Sequence, residues 1–544
     1  MSSSPDPSPT PALHGSQLIA GERSAEGRAT FRAVNPSTSV PLPVDVHDAT
    51  PDEIDRALNA ATDAFETYRR LPGRAIAAFL DAVVSELEKI DDLVPLAHQE
   101  TGLPLARLQG ERLRMLNGVR LFAAAAREGS WVGARIDRAN PGRQPLPKPD
   151  VRAMLTPIGP VVVFGASNFP LAISVAGTDT VSALAVGCPV VVKAHPAHPG
   201  TSERLAEAIA SAVRAHGLPP GVFSLVHGQG TDVGLALVTH PATRAVAFTG
   251  SLRGGRALFD AGVSRPDPIP VYAEMGSINP VILLPGALAE RGEAIASAFI
   301  ASVTMGVGQF CTNPGMVLAL DGAPLDGFQR ALERLVPAVT PGTLLHAGIA
   351  RAFAGGVDRL AATPGVQRLA ASQTPADATR TEGACVIFTT SAETLSAHPH
   401  VTEEVFGPTS TIVRCRNRQE LEDVVRGLGG HLTASLHGTP ADLADHRDLV
   451  ALLETRVGRI IFNGFGTGID VCHAMHHGGP YPATSDAHVT SIGIAALFRF
   501  ARPVCYQDFP DAALPEALRD GNPLGIWRLV DGQLTKDVTS PTDA

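Results

Sequence analysis

Four short runs of uninterrupted apolar residues, each followed by a turn and an amphipathic stretch, constrain the fold of this chain more than any other feature. They are Val161–Phe164, Val190–Lys193, Val222–Val226 and Ala245–Phe248. A strand with one wet face alternates polar and apolar residues, whereas a strand covered on both faces reads as a continuous run. Such runs, separated by helical segments of which 202–215 is the clearest, predict βαβ units and a parallel sheet with helices on both sides. A second α/β alternation begins after residue 279, with strands expected near Met316–Leu320, Cys385–Phe388, Thr411–Val413 and Arg459–Phe462. From about residue 51 to 127, Ile54, Leu58, Ala61 and Phe65 and their like recur at helical spacing and predict a helical lead-in. A Pro/Gly-rich stretch at 141–149 separates it from the first sheet.

A chain of 544 residues that is 44% hydrophobic can bury more than one core, because single cores stop growing near about 250–300 residues, so at least two domains are expected. Its charged fraction is 18%, and no apolar run approaches the roughly 20 residues that a membrane helix needs, so no membrane partner is expected. The net charge of -10 and the scattered Lys and Arg leave no basic stripe for phosphate backbones, which argues against nucleic acid. Six cysteines without a C-x-x-C spacing point to a reducing, cytoplasmic setting. The Ser/Pro-rich opening has neither the basic start nor the apolar stretch of a secretory leader and predicts a disordered tail.

Three segments carry chemistry. Gly306-Val-Gly-Gln-Phe-Cys311-Thr-Asn-Pro-Gly315 presents one cysteine on a glycine-rich turn after the helical stretch Ile295–Thr304. A thiolate is a strong nucleophile, and amides around such a turn can lower its pKa and receive an oxyanion. The plain alternative is a buried structural thiol. In Tyr272-Ala-Glu274-Met-Gly-Ser-Ile-Asn-Pro280 a carboxylate leaves an apolar strand, where burial would raise its pKa and suit it to general-base work. A strand-end surface glutamate is the alternative. The third segment, Phe164-Gly-Ala-Ser-Asn168-Phe-Pro170, follows the first strand of the series, where ligands of open α/β sheets collect, and an Asn amide there can donate to an oxyanion without titrating.

Two further segments bear on ligands. Phe248-Thr-Gly250-Ser251-Leu-Arg-Gly-Gly255 follows a strand and opens a helix, so its amides and the Ser251 hydroxyl are placed for a phosphate, although it is not the usual G-x-G-x-x-G. His473 and His477 stand four apart, as helical metal ligands do, but Gly478-Gly-Pro480 would break that helix, and no metal is expected.

In order, S-N-F-P, F-T-G-S, E-x-G-x-x-N-P, G-Q-x-C and E-E-V-F-G-P resemble the motifs of the aldehyde dehydrogenase superfamily over about two-thirds of the chain. V-V-K-A-H-P-A-H-P-G, A-E-M-G-S-I-N-P, G-Q-F-C-T-N-P-G and V-C-H-A-M-x-H-G-G-P-Y-P-A-T-S-D are similar to its α-ketoglutaric semialdehyde (2,5-dioxovalerate) dehydrogenases and their NADP-linked fatty-aldehyde relatives. The resemblance implies an α/β fold with a Rossmann-like cofactor domain, a second α/β catalytic domain and a small oligomerisation hairpin. Its expected divisions are a disordered tail over 1–13, a cofactor-binding domain over 14–283 with part of the hairpin near 128–155, a catalytic domain over 284–485 and a C-terminal closing segment over 486–544. A homodimer or homotetramer is implied.

By the same resemblance Cys311 would be the nucleophile, Asn168 with the Cys311 amide the oxyanion hole, and Glu274 the base for the hydrolytic water. Lys193 would bind the adenosine ribose, Gly250, Ser251 and Gly255 the phosphates, Glu404 the nicotinamide ribose, and Phe406 would lie against the nicotinamide. NAD-preferring members carry an acidic residue three positions after the lysine, where this chain has Pro196; with His195 as a nearby cation or donor, NADP is the expected cofactor, NAD also being accepted. Ala166-Ser167 and Ser277 depart from the family pattern beside the reaction centre and are expected to alter substrate shape. The segment around His473 would form a donor-rich wall at the substrate entrance. The implied substrate is 2,5-dioxopentanoate, with a medium- or long-chain aldehyde as the alternative. A CoA-acylating relative would not need Glu274, and a non-catalytic relative would not keep Cys311.

Overall fold

The continuous apolar runs form the middle of a seven-stranded sheet in the computed structural model, which describes residues 12–539. The tail expected over 1–13 therefore lies outside the described residues except at its last two positions, of which Leu13 is half-buried. Across the sheet run Val271–Glu274, Ala245–Thr249, Val161–Phe164, Val190–Lys193 and Phe223–Val226, all parallel, and then Gln17–Ile19 and Glu22–Ser24, added antiparallel. Val161, Val162, Val190, Val191 and Val192 are wholly buried, as strands covered on both faces must be. The register sets Phe164 level with Lys193 and Phe248, Lys193 level with Val226, and Thr249 level with Glu274, so five strands end along one edge. The first strand of the series lies in the middle and its successors step away on both sides, which opens a crevice at the carboxyl ends.

The second sheet also has seven strands, in the order Gln367–Ala371, Val386–Ser391, Thr409–Cys415, Met316–Leu320, Val281–Leu283, His431–His437 and Val457–Phe462, with Gln367–Ala371 antiparallel at the edge. Met316–Leu320 falls where the apolar runs put it, and Cys385–Phe388, Thr411–Val413 and Arg459–Phe462 are cores of longer or shifted strands. Val281–Leu283 and His431–His437 were not among the expected strands. The second, His-Leu-Thr-Ala-Ser-Leu-His, is buried throughout in spite of its polar residues. A third sheet of five strands pairs Val151–Pro157 with Arg135–Asp137 on one side and with Ala501–Gln507 on the other, and carries Arg528–Val530 and Gln533–Thr535 beyond.

The helical lead-in divides into Pro51–Tyr68, Gly73–Glu88, Leu93–Thr101 and Leu105–Glu128. The first begins with a capping box, in which the Thr50 hydroxyl accepts from the Glu53 amide and the Glu53 carboxylate accepts from the Thr50 amide. Its inward stripe is Ile54, Ala57, Leu58, Ala61 and Ala64; Phe65 is only half-buried. Among the described residues no helix is long and apolar enough to cross a membrane.

Candidate active site

Glu274 closes an edge strand of the first sheet, and that edge is covered by residues 483–485: the Met275 amide donates to the Ala483 carbonyl, and the Ser485 hydroxyl both accepts from the Ala273 amide and donates to the Val271 carbonyl. This clamp also fixes the preceding loop, which turns His477 inward. Its side chain is fully buried, with Nε2 3.0 Å from Glu274 Oε1 and 3.4 Å from Cys311 Sγ. The Ser491 hydroxyl donates to the other Glu274 oxygen. Glu274, His477 and Cys311 thus place a carboxylate, an imidazole and a thiol within 4.8 Å of one another. His473 takes no part in this cluster, and residues 471–477 form no helix, so the four-residue spacing of the two histidines has no helical meaning.

The cysteine loop reaches this point because it follows Pro285–Thr304 and precedes Met316–Leu320 at the amino edge of the second sheet. Gly306, Val307 and Gly308 are successive left-handed residues, which for a β-branched valine is strained and persists only where the surroundings hold it. Gly308 has no alternative, since a Cβ there would lie 2.2 Å from the main chain of Gly407. The Asn279 amide, itself on a left-handed residue, donates to the Cys311 carbonyl (2.8 Å) and to the Asn313 carbonyl (2.9 Å), while its oxygen accepts from Ser277 and Thr433. Ser277, expected to alter substrate shape, is buried in this scaffold, where its hydroxyl accepts from the Leu432 amide and donates to Asn279.

Asn168 is brought to the same place. Its Nδ2 donates to the Gln309 carbonyl at 3.1 Å, and its own carbonyl accepts from Arg107 at 2.6 Å. The Cys311 amide has no hydrogen-bond partner among the described residues, so it and the second Nδ2–H of Asn168 are unengaged and could serve a developing oxyanion.

Electrostatics here differ from the sequence expectations. Burial pushes the Cys311 thiol well up and the Glu274 carboxylate beside it pushes further, against which the Arg114 guanidinium pulls down. The glycine turn therefore does not by itself yield a thiolate. For Glu274, burial raises the pKa, but the close His477 ring together with the hydrogen bonds from His477, Ser491 and Cys311 outweighs it and leaves the carboxyl below its ordinary value. It is an ionised acceptor, not the raised-pKa acid expected. The His477 tautomer follows from its neighbours: its Nδ1 is buried without a partner, and an Nδ1–H form would orphan that proton and set Nε2 as an acceptor against a carboxylate. A proton on Nε2 satisfies Glu274 and faces the sulfur.

The first of the residues expected to hold the cofactor lie along the carboxyl edge of the first sheet. Lys193 is buried, its ammonium donates to the Gly228 carbonyl at 2.7 Å and to the Ala194 carbonyl at 3.3 Å, and desolvation lowers its pKa to about 8. Gly250 and exposed Ser251 start the helix Leu252–Val263, and the Ser251 oxygen caps it by accepting from the Gly254 amide. Gly255 does not face the cleft: it is buried, and a Cβ there would lie 2.6 Å from Met275 and 3.2 Å from Ala273, so its part is the close approach of helix to strand. His195 is no cation. Desolvation first, then His198, His346 and Lys193, drive its pKa well down, and its Nδ1 accepts from the Ala197 amide, which leaves Nε2–H as a neutral donor.

Glu404 and Phe406 come from the loop before Thr409–Cys415 and share the wall of a cavity with Ser277, Gly308 and Asn313. Desolvation lifts the Glu404 carboxyl to about 8, opposed by one hydrogen bond from the Ser277 amide. A buried ammonium at one end, a capped helix start with free amides in the middle and an underpaired carboxyl at the other fit a ribose–diphosphate–ribose ligand.

The sequence reading missed His477 as part of the cluster, along with Ser491, Asn279 and Arg114. His477 had been seen only as a metal candidate and a loop residue; its neighbours Glu274 and Cys311 are 203 and 166 residues away, beyond the reach of spacing arguments. Asn279 did carry a signal, as the asparagine of E-x-G-x-x-N-P.

Residues 23–480 match the Aldehyde dehydrogenase family. The chain is 51% identical to "Alpha-ketoglutaric semialdehyde dehydrogenase 2" of Azospirillum brasilense, over 96% of this chain and 99% of that one. It is 44% identical to "Alpha-ketoglutaric semialdehyde dehydrogenase" of Acinetobacter baylyi, again over 96% of this chain and 99% of that one. Among solved structures, betaine aldehyde dehydrogenase of Staphylococcus aureus in complex with NAD+ superposes with a TM-score of 0.78 at 20% identity, covering 92% of this chain and 96% of that one. 1-Pyrroline-5-carboxylate dehydrogenase of Thermus thermophilus gives 0.77 at 22% identity, over 91% and 92%. With its fold, its ordered motifs and relatives matched from end to end, this chain belongs to the aldehyde dehydrogenase family and is an NAD(P)-dependent enzyme that oxidises aldehydes to acids.

Proposed function

We propose that the substrate is an oxo-acid semialdehyde of the 2,5-dioxopentanoate class, oxidised at Cys311 with NADP as the preferred cofactor and NAD also accepted. The carrying observation is the contact of Cys311 with His477 and of His477 with Glu274, at the meeting of the two sheets. The substrate class rests on the two relatives named above.

In this reading Glu274 takes the thiol proton, and the Nε2–H of His477 turns toward the sulfur to stabilise the thiolate. The sulfur adds to the aldehyde carbon, and the oxyanion is held by Asn168 Nδ2 and the Cys311 amide. The nicotinamide, when bound, supplies the hydride acceptor. Glu274, having released its proton, deprotonates the water that cleaves the thioester, so aldehyde and water give carboxylate, the thiol is restored and two electrons leave as hydride. Lys193 would hold the adenosine ribose, Ser251 and the helix-start amides the diphosphate, and Glu404 the second ribose, with Phe406 against the ring. Pro196 supports NADP because no carboxylate stands there to repel a 2′-phosphate, and the His195 donor is at hand.

The domain division follows the limits given above except that the catalytic domain starts before Val281, whose strand pairs in the second sheet, and a homo-oligomer is supported by the third sheet, which leaves Trp527, Leu529 and Leu534 exposed. Six free cysteines favour a reducing cytoplasm. The test is a panel of 2,5-dioxopentanoate, succinic semialdehyde and medium-chain aldehydes, each with NAD and NADP. The highest kcat/KM is expected for the oxo-acid with NADP; a fatty aldehyde in that place overturns the substrate class.

A further inference from the structure

Resting on that reading and deepening it, we propose that Arg114 is the residue that selects an anionic substrate, by binding the carboxylate at the end remote from the aldehyde. Arg107, Glu111 and Arg114 follow one another at helical spacing on Leu105–Glu128, so they share a face, which packs on the Asn168 loop. The first two are used by that loop. Arg107 donates to the Asn168 carbonyl, and one Glu111 oxygen accepts from the Leu171 and Ala172 amides at 2.8 and 3.0 Å.

Arg114, next along the face, has no hydrogen bond and no ion pair among the described residues, although Glu111, Asp470, Glu274 and an ionised Cys311 all attract it. Its one specific contact is with the Phe169 ring, whose centroid is 5.5 Å from the guanidinium carbon. With Phe169, Phe310, Cys311, Ile469 and Ile492 it lines a narrow cavity. Burial draws its pKa down, and the attraction of Cys311, Glu111, Asp470 and Glu274 offsets this only in part. In a mainly apolar pocket that ends at the nucleophile, an unpaired guanidinium is stabilised by an occupant that brings a carboxylate, which it can grip with two N–H groups. An aldehyde with an acid at its far end satisfies both ends of the cavity; a neutral aldehyde leaves the guanidinium bare.

The experiment compares 2,5-dioxopentanoate and succinic semialdehyde with pentanal, in the full-length protein and in Arg114→Met and Arg114→Lys. Wild type is expected to prefer the acids. Arg114→Met is expected to lose about 30-fold or more in kcat/KM for them, chiefly through KM, with a much smaller loss for pentanal, which misses only the guanidinium's pull on the Cys311 thiol, and with Arg114→Lys between. Protection of Cys311 from alkylation by 2-oxoglutarate should weaken in parallel, a readout that does not need turnover. If wild type prefers acids and Arg114→Met keeps that preference, or loses acids and pentanal equally, Arg114 is a structural residue and the inference fails. A wild type that prefers pentanal overturns the substrate reading itself, whatever the variants do.

Discussion

The two sides of the cleft are built on opposite plans. On the reaction side, Glu274 has His477 on one oxygen and Ser491 on the other, and its carboxyl is held down despite burial. On the cofactor side, Glu404 is met by one amide, its carboxyl rises to about 8, and Lys193 at the far end is drawn down to about 8. Two glutamates of one chain, both desolvated, thus titrate in opposite directions because only Glu274 has partners that outweigh its desolvation. On the proposed roles, the groups of the reaction side are already paired within the protein, whereas those assigned to the cofactor would gain hydrogen bonds from the ligand. Changes on the reaction side should then strike turnover and spare cofactor binding, and changes on the other side should do the reverse.

The largest effect sharpens that contrast most. Cys311→Ala is expected to lower aldehyde oxidation by about 10⁴-fold or more while cofactor affinity, read by fluorescence titration, stays as it was. Next, His477→Ala removes one hydrogen bond to a charged group, about 1.5–3 kcal/mol, and should slow thiolate formation by about 10- to 150-fold. The thiol pKa is already raised, and losing the Nε2–H donor raises it further, so the variant's rate should go on climbing with pH where wild type levels off. A pH profile of Cys311 alkylation checks this, and coincident profiles would break the reaction-side account. Pro196→Glu is expected to cost tenfold or so in NADP affinity with NAD little changed, from direct binding titrations. Smallest in affinity, Glu404→Gln should cost about 1 kcal/mol of cofactor binding. Its sign is more informative: below pH 8 free Glu404 is protonated, ribose hydroxyls favour its carboxylate, and binding should release a proton at pH 7 but not well above 8. Calorimetry in two buffers reads that proton, and the glutamine variant should release none.

How far the sequence could be read follows the same line. Asn168, Glu274 and Cys311 stand in short segments whose glycines and prolines announce a turn at a strand or helix end, so local chemistry exposes them. The four apolar runs show the first sheet for the same reason. His431–His437 stayed hidden because Thr433 and Ser435 break the apolar pattern, and they are buried because Thr433 serves Asn279. His477 and Ser491 could not be placed from spacing, since only the cover over the edge strand brings them to Glu274. His195 and Gly255 show the converse: a residue type suited to a ligand, turned by its packing into a neutral donor and a helix–strand contact.

The most direct test of the central claim is the mass of Glu274→Gln after mixing with NADP and 2,5-dioxopentanoate. Without the Glu274 charge the Cys311 thiol is less strongly raised and can lose its proton to solvent, more slowly than to Glu274, with His477 left to hold the thiolate, so one equivalent of reduced nicotinamide should form in a slowed burst and the acyl group should be found on Cys311. No burst together with unmodified Cys311, or an acyl group on another residue, would contradict the assignment of Cys311 as nucleophile and Glu274 as deacylating base.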